Sequence, residues 1–498
     1  MSNDVVQGTV PPQPGGGDGA QGQGTSPAPD AGDTGYSKDL KARHINMIAI
    51  GGAIGTGLFL GAGGRLASAG PALAIAYAVC GLFAFFVVKA LGELVLHRPS
   101  SGSFVSYSRE FLGEKGAYVA GWMYFLNWST TGIADITAIA LYTHYWSFFT
   151  SVPQWVLALI ALAVVLAINM ISVKIFGELE FWFAVIKVAA LVLFMIIGIV
   201  LLATQHPVGG STPGLGSITD HGGVFPNGVM PVVIVMQGVV FAYSCVELVG
   251  VTAGETAEPH KVVPKAVNAI MWRVGFFYVG SVVLLTLLLP WGEYKDGQSP
   301  FVTVLSKLGV DGAGDVMNLV VLTAAMSSLN SGLYSTGRIL RSMAMAGSAP
   351  KFTARMNRSQ VPYGGILLTS AVCVAGVGLN YAMPGKAFEI VLNIASLGII
   401  STWCTIMLCH LVFVRRSKAG LVERPSFRLP GSPYTEYVTI AFLLGVIALM
   451  WNDPDVGRKT VLLVPVIAVA LVVGWYAVRR RVASAAQESA ESGAGVRD

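Results

Sequence analysis

Long apolar runs separated by short polar connectors set the pattern of this chain. A helix that crosses lipid needs roughly 20 mostly apolar residues. Twelve stretches meet that description, at approximately 45–65, 71–96, 117–147, 152–173, 179–203, 229–252, 266–290, 316–345, 364–383, 387–414, 433–451 and 460–479. Helical periodicity adds little, because helices in lipid can be apolar all round. The runs predict an all-α, polytopic membrane protein with 12 transmembrane helices in a single domain over 37–482. Residues 1–36 are rich in Gly, Pro, Gln, Ser and Asp and nearly free of large apolar side chains, so a disordered tail is expected there. A second disordered tail is expected over 483–498. The main outer connectors are 204–228 and 292–315.

Two of the runs are interrupted. "IAIGGAIGTGLFLGAGG", Ile48 to Gly64, is apolar enough for a spanning helix, yet seven of its seventeen residues are Gly. The sixth run, "VMQGVVFAYSCVELVGVTAGE", carries Gly238, Ser244, Gly250 and Gly254. Small residues can serve close helix packing alone. They can also mark a broken helix, tolerated at membrane depth only where the irregular backbone is buried in protein or lines a cavity. Runs one and six hold matching positions in two halves, 1–5 and 6–10, and paired interruptions of this kind point to a transporter binding site. An odd repeat length inverts the second half. The expected architecture is a five-plus-five inverted repeat followed by two accessory helices. Freed N–H groups at the first break suit a carboxylate.

Composition and charge agree with the membrane reading. Only 12% of the 498 residues are charged, against about 25% in soluble domains, and 54% are hydrophobic. With the N-terminus placed in the cytoplasm, inner segments hold 24 of the 32 Lys and Arg residues and outer segments hold 6, Arg65 among them. Lys89 and Lys187 fall within helices. The positive-inside rule then puts both termini in the cytoplasm. Cys80, Cys245, Cys373, Cys404 and Cys409 all lie in apolar segments without metal-ligand spacing and read as packing residues. His144 and His410 show no paired-ligand spacing. The chain carries no phosphate-binding Gly-Lys-Ser motif, which leaves ATP-driven pumping without support. No cofactor, metal or nucleic-acid partner is expected, and no nucleophile–base arrangement indicates an enzyme.

Five stretches resemble the bacterial amino acid permeases of the amino acid–polyamine–organocation superfamily. They are "GGAIGTGLFLGAGG" (51–64), "GELVLHRPSSGSFVSYSREFLGEKGAYVAGWMYFLNW" (92–128), "FGELEFWFAVIKV" (176–188), "FAYSCVELVGVTAGETAEPHKVVPKAVN" (241–268) and "MSSLNSGLYSTGRIL" (326–340). The resemblance spans about 38–480 and implies the leucine-transporter-like fold. It also implies import of an L-amino acid by proton symport, with alternating access made by rocking helices 1, 2, 6 and 7 against the rest. The nearest members carry L-asparagine, while relatives for GABA, phenylalanine, proline and lysine share the same motifs. An amino acid exchanger is the alternative in transport mode.

The resemblance implies that the substrate carboxylate meets Ile54, Gly55, Thr56 and Gly57, where glycines can adopt φ > 0. It implies that the α-amine meets carbonyls of Phe241, Ala242 and Ser244. Phe241 matches an aromatic gate, and an ordinary packing aromatic is the competing reading. Lys187 stands mid-helix with no charge within six residues on either side, which makes it a functional-site candidate by depth alone. Related proton-driven permeases place a lysine here, implying a proton-coupling group. A structural lysine bonded to Ser327 or Ser328 is the alternative. Glu247 matches a gating or protonation glutamate, or serves as a hydrogen-bonded linker. Asp135, Asn127, Ser129, Thr130 and Thr131 of the third helix are further wall candidates. Lys89 and Glu93 have the i, i+4 spacing of an ion pair. Glu255 and Glu258 with Lys261 and Lys265 form a charged inner loop.

Overall fold

The computed structural model describes Arg43, Met47 and residues 54–100, 102–253, 258–385, 387–454 and 456–494. The tail expected over 1–36, positions 48–53 of the glycine-rich run, and Glu255 lie outside the described residues.

The apolar runs become helices because a helix pairs its backbone groups internally, without water. The principal helices are α1 (Thr56–Phe59), α2 (Gly61–Ala69), α3 (Leu73–His97), α4 (Ser103–Thr143), α5 (Gln154–Asn169) and α6 (Val173–Thr204). Then come α7 (Val229–Ile234), α8 (Met236–Ala242), α9 (Leu248–Ala253), α10 (Pro259–Arg273), α11 (Ser281–Leu288) and α12 (Pro300–Ser306). The chain ends with α13 (Ala313–Met345), α14 (Tyr363–Ala382), α15 (Ala387–Lys418), α16 (Tyr434–Leu449) and α17 (Gly457–Ala494). A π-helical stretch, Val274–Gly280, joins α10 to α11. Among the described residues, Val208–Ser211 is the one β-bridge and eight helices are long and apolar enough to cross a membrane. The architecture is all-α.

Two boundaries differ from the sequence reading. The third run begins at Ser103 rather than 117 and bends at Gly113, whose φ of 80° leaves the helical region. The tail expected from 483 is helical through Ala494. Ala483, Ala485, Ala486, Gln487 and Glu488 are good helix formers, and they extend α17 beyond its apolar part. The middles of α13 and α15 are 72% buried and form the centre, whereas the apolar window of α17 is 0% buried.

Two groups of polar contacts join neighbouring helices. In one, Asn169 Nδ2 donates to Asn330 Oδ1 at 2.6 Å, Gln154 Nε2 to Asn380 Oδ1 at 2.7 Å, and Asn380 Nδ2 to Thr137 Oγ1 at 2.7 Å. These bonds tie α4, α5, α13 and α14 together. In the other, the Tyr243 hydroxyl donates to the Tyr77 carbonyl at 2.8 Å and the Tyr278 hydroxyl to the Ala242 carbonyl at 3.2 Å. The three tyrosine rings cluster with centroids 4.6–5.9 Å apart, joining α3, the end of α8 and the π-helical stretch.

The Lys89–Glu93 pair expected from spacing does not form. Glu93 is buried against His410 and Arg424, and it accepts the Leu429 N–H at 2.8 Å. The His410 ring nitrogens lie 2.9 Å from one oxygen each of Glu93 and Glu436. Lys89 instead donates to Asn268 at 3.1 Å and stands 3.5 Å over the Phe427 ring. Spacing along one helix gave way to partners brought by α15, α16 and the segment between them. Replacing Glu93 by Ala leaves the buried His410 ring and the part-buried Arg424 guanidinium without their carboxylate, which costs about 3 kcal/mol. Lys89→Ala costs about 1 kcal/mol or less. Thermal unfolding in detergent is expected to show a far larger drop for E93A than for K89A, and equal drops would contradict this ranking.

Candidate functional site

The second interruption is present in the folded chain, and the described part of the first run starts at its irregular end. Gly55 is extended (φ −124°, ψ −162°) and leads into α1, and Leu60 separates α1 from α2. In the sixth run α8 stops at Ala242, residues 243–247 form turns, and α9 resumes at Leu248. Cys245 holds φ at 80°, a left-handed conformation that costs a non-glycine residue roughly 1–2 kcal/mol. Strain of this kind persists only where the surroundings impose it, and it concentrates at functional sites.

The two breaks touch. A Cβ on Gly57 would stand 2.6 Å from the Ala242 Cα, so the segments approach this closely only because residue 57 has no side chain. Neither Gly55 nor Gly57 uses positive φ, so the conformational freedom expected of them is not what the fold exploits. Arg65, counted with the outer charges, turns back into the protein. Its Nη1 donates to the Gly57 carbonyl at 2.8 Å and to the Tyr77 hydroxyl at 3.4 Å. The guanidinium passes between Gly61 and Gly238, where an added Cβ would meet it at 2.7 and 2.6 Å.

A narrow cavity of about 10 Å³, room for no more than one water, lies between the breaks. Gly55, Thr56 and Gly57 form one wall, Phe241, Ala242, Ser244 and Cys245 the other, and Ser328 of α13 faces them. Ile54 is buried immediately before the first wall. Thr56 Oγ1 donates to Asp135 Oδ1 at 2.9 Å, which ties α1 to the middle of α4. Of the other wall candidates on α4, Ser129 and Thr130 turn their hydroxyls back to the Leu126 carbonyl, at 3.2 and 2.7 Å. Asn127 is buried against Gly398 of α15. Its amide atoms and the Thr131 hydroxyl have no hydrogen-bond partner among the described residues.

Lys187 is buried and donates to Ser327 Oγ at 2.9 Å. The Ser327 hydroxyl in turn donates to Glu180 Oε1, and Asn330 Nδ2 reaches Glu180 Oε2 at 3.4 Å. Ser327 and Ser328 are neighbours on α13, one on this chain of bonds and the other on the cavity. Sequence reasoning missed Glu180 as the acidic member. The available signal was its distance from Lys187: seven residues, two helical turns, the same face of α6. Glu247 is the last residue of the second break and is buried, with its carboxylate beside the Trp403 indole and the backbone of Cys245. The charged inner loop contributes an exposed pair, Lys261 to Glu258 at 2.7 Å, away from these groups.

Backbone of both breaks walls the cavity, and in this state the Phe241 carbonyl accepts the Ser244 N–H at 2.9 Å while the Ala242 carbonyl accepts the Tyr278 hydroxyl. Residues 44–487 match the family described as "Amino acid permease". The chain is 82% identical over 463 residues to the L-asparagine permease of Streptomyces coelicolor, covering 93% of this chain and 94% of that protein. It is 61% identical to the L-asparagine permease of Salmonella typhimurium, covering 91% of each chain. It is 60% identical to L-asparagine permease 1 of Mycobacterium tuberculosis H37Rv, covering 92% of this chain and 93% of that one. With the match running through both broken helices and the helices around them, the chain belongs to the amino acid permease family of membrane transporters.

Proposed function

We propose that the chain imports L-asparagine across the cell membrane together with a proton, with Ile54, Gly55, Thr56, Gly57, Phe241, Ala242 and Ser244 as the substrate site. The observation that carries this reading is the buried cavity shared by the two broken helices. Relatives named L-asparagine permease support the choice of substrate. The carboxylate takes the N–H groups at the entry to α1, which have no intrahelical partner. The ammonium group takes carbonyls of the second break, and Phe241 closes over the ligand.

The helices are read as twelve crossings with both termini cytoplasmic. The first half runs from the α1–α2 segment through α6, and the inverted second half from α7–α9 through α14 and α15. Helices α16 and α17 are accessory. Each half opens on an interrupted helix, which supports the repeat. The two groups of polar contacts support rocking. Arg65 and the tyrosine cluster hold crossings 1, 2, 6 and 7 as one body, while the Asn and Gln bonds hold 3, 4, 8 and 9 as another. Thr56–Asp135 crosses between them beside the ligand.

Lys187 is the proposed proton-coupling group. Its bond to Ser327 sets a titratable amine one residue from the cavity wall, so taking up or releasing a proton alters its hold on α13. Glu247 is a second protonation or gating group.

Three outcomes are expected in proteoliposomes. Radiolabelled L-asparagine accumulates when a proton gradient is imposed with no amino acid inside, and unlabelled asparagine competes while GABA and phenylalanine do not. Uptake that requires internal amino acid would replace symport by exchange, and equal competition by GABA would replace the substrate. Lys187→Ala is expected to lose gradient-driven accumulation while keeping its thermal midpoint and counterflow exchange; undiminished uphill uptake would overturn the role of Lys187. Gly57→Ala pushes the breaks apart, at an overpacking cost of about 1–3 kcal/mol, and should abolish uptake. Gly55→Ala, whose Cβ meets Ser328 at an ordinary 3.8 Å, should be milder, and a reversed order in initial uptake rates would contradict the contact argument.

A further inference from the structure

The cleft at the far end of α17 takes no part in the transport site. It lies between the last turn of α13, the turn that follows it, and the polar end of α17. Its volume is about 360 Å³, and Lys351, Arg480 and Arg481 line it together with Ser484 and a single acid, Glu488. None of the three cations has an ion-pair partner among the described residues. Arg480, Ser484 and Glu488 follow i, i+4, i+8 spacing and so share one stripe of the helix. The walls are fixed against each other. Gly347 sits at φ 75°, and a Cβ there would lie 2.8 Å from the Arg481 carbonyl oxygen, so α17 rests directly on the turn. Val482 is buried beside it.

The apolar part of α17 leads straight into this cleft. Its apolar window is unburied, and Val466, Val469, Val473 and Tyr476 are each about 60% exposed, which makes the helix a lipid-facing surface along its length. An acyl chain lying on that surface brings its headgroup to the level where the apolar residues give way to Arg480 and Arg481.

We propose that this cleft binds the headgroup of an anionic phospholipid, with Lys351, Arg480 and Arg481 around its phosphate. In the orientation proposed above, the lipid belongs to the cytoplasmic leaflet. A phosphodiester answers the excess of cations, and guanidinium groups match its oxygens in fork geometry. Basic pockets between helices at this depth suit anionic headgroups. The bound lipid would hold α17 against the end of α13.

Native mass spectrometry of the detergent-solubilised full chain tests the proposal, with phosphatidylglycerol or phosphatidylcholine titrated into the wild type and K351Q/R480Q/R481Q. The wild type is expected to retain phosphatidylglycerol over phosphatidylcholine. The triple variant should lose that preference by about tenfold or more, since each basic residue contributes several-fold. R458Q/K459Q, which removes charge at the opposite end of α17, should change nothing. Equal retention by wild type and triple variant would overturn the proposal, as would an equal loss in R458Q/K459Q. Displacement of phosphatidylglycerol by millimolar inorganic phosphate would identify a soluble-anion site instead. A shift from dimer to monomer in the triple variant, with lipid retention unchanged, would assign the cleft to a second copy of the chain. None of these readouts depends on which amino acid is transported.

Discussion

The contact between Gly57 and Ala242 is the constraint on which the centre of this protein depends. Two helices stop inside a low-dielectric interior, where an unpaired backbone group carries a penalty of several kcal/mol. They do so side by side, at a separation no side chain would permit. The surroundings meet the exposed groups in specific ways. Arg65 covers the Gly57 carbonyl, the Tyr278 hydroxyl covers that of Ala242, and Asp135 holds the Thr56 hydroxyl. What is left between the breaks is a narrow cavity lined largely by backbone, the place proposed for the two charged ends shared by all amino acids.

That arrangement separates two jobs. In the proposed site, backbone meets the part of the ligand that does not vary, and Ser328 of α13 faces it. On α4, Asn127 and Thr131 keep buried polar atoms without a partner among the described residues, unlike Ser129 and Thr130. Lys187 and Glu180 stand behind the cavity wall, joined through Ser327. In the proposed cycle, the charge state of this chain of bonds and the occupancy of the cavity act on the same helix, α13. The tyrosine cluster and the Asn–Asn contacts then give each moving body its own internal ties, so motion can concentrate at the few contacts that cross between them.

Much of this was legible in the residues. The apolar runs gave the helices, and glycine and polar punctuation marked both breaks, because each signal is local to the element it describes. Glu180 was hidden by looking six residues either side of Lys187 when a helical face repeats at seven. Arg65 reads as an outer-loop charge. Its inward path depends on Gly61 and Gly238 lacking side chains at the same place, which is a tertiary coincidence. Glu93 presents an obvious partner one turn away in Lys89, yet His410 and Arg424 take it, from more than 300 residues away in the chain. The helical end of α17 was missed because a polar, alanine-rich stretch reads equally well as a solvated tail.

The measurement that addresses the central claim most directly is an experimental structure of the protein saturated with L-asparagine in lipid nanodiscs. The account predicts ligand density between Gly55–Gly57 and Phe241–Cys245, with the carboxylate within hydrogen-bond distance of the α1 backbone N–H groups. Ligand density elsewhere, with the two breaks still closed on each other at Gly57 and Ala242, would contradict it.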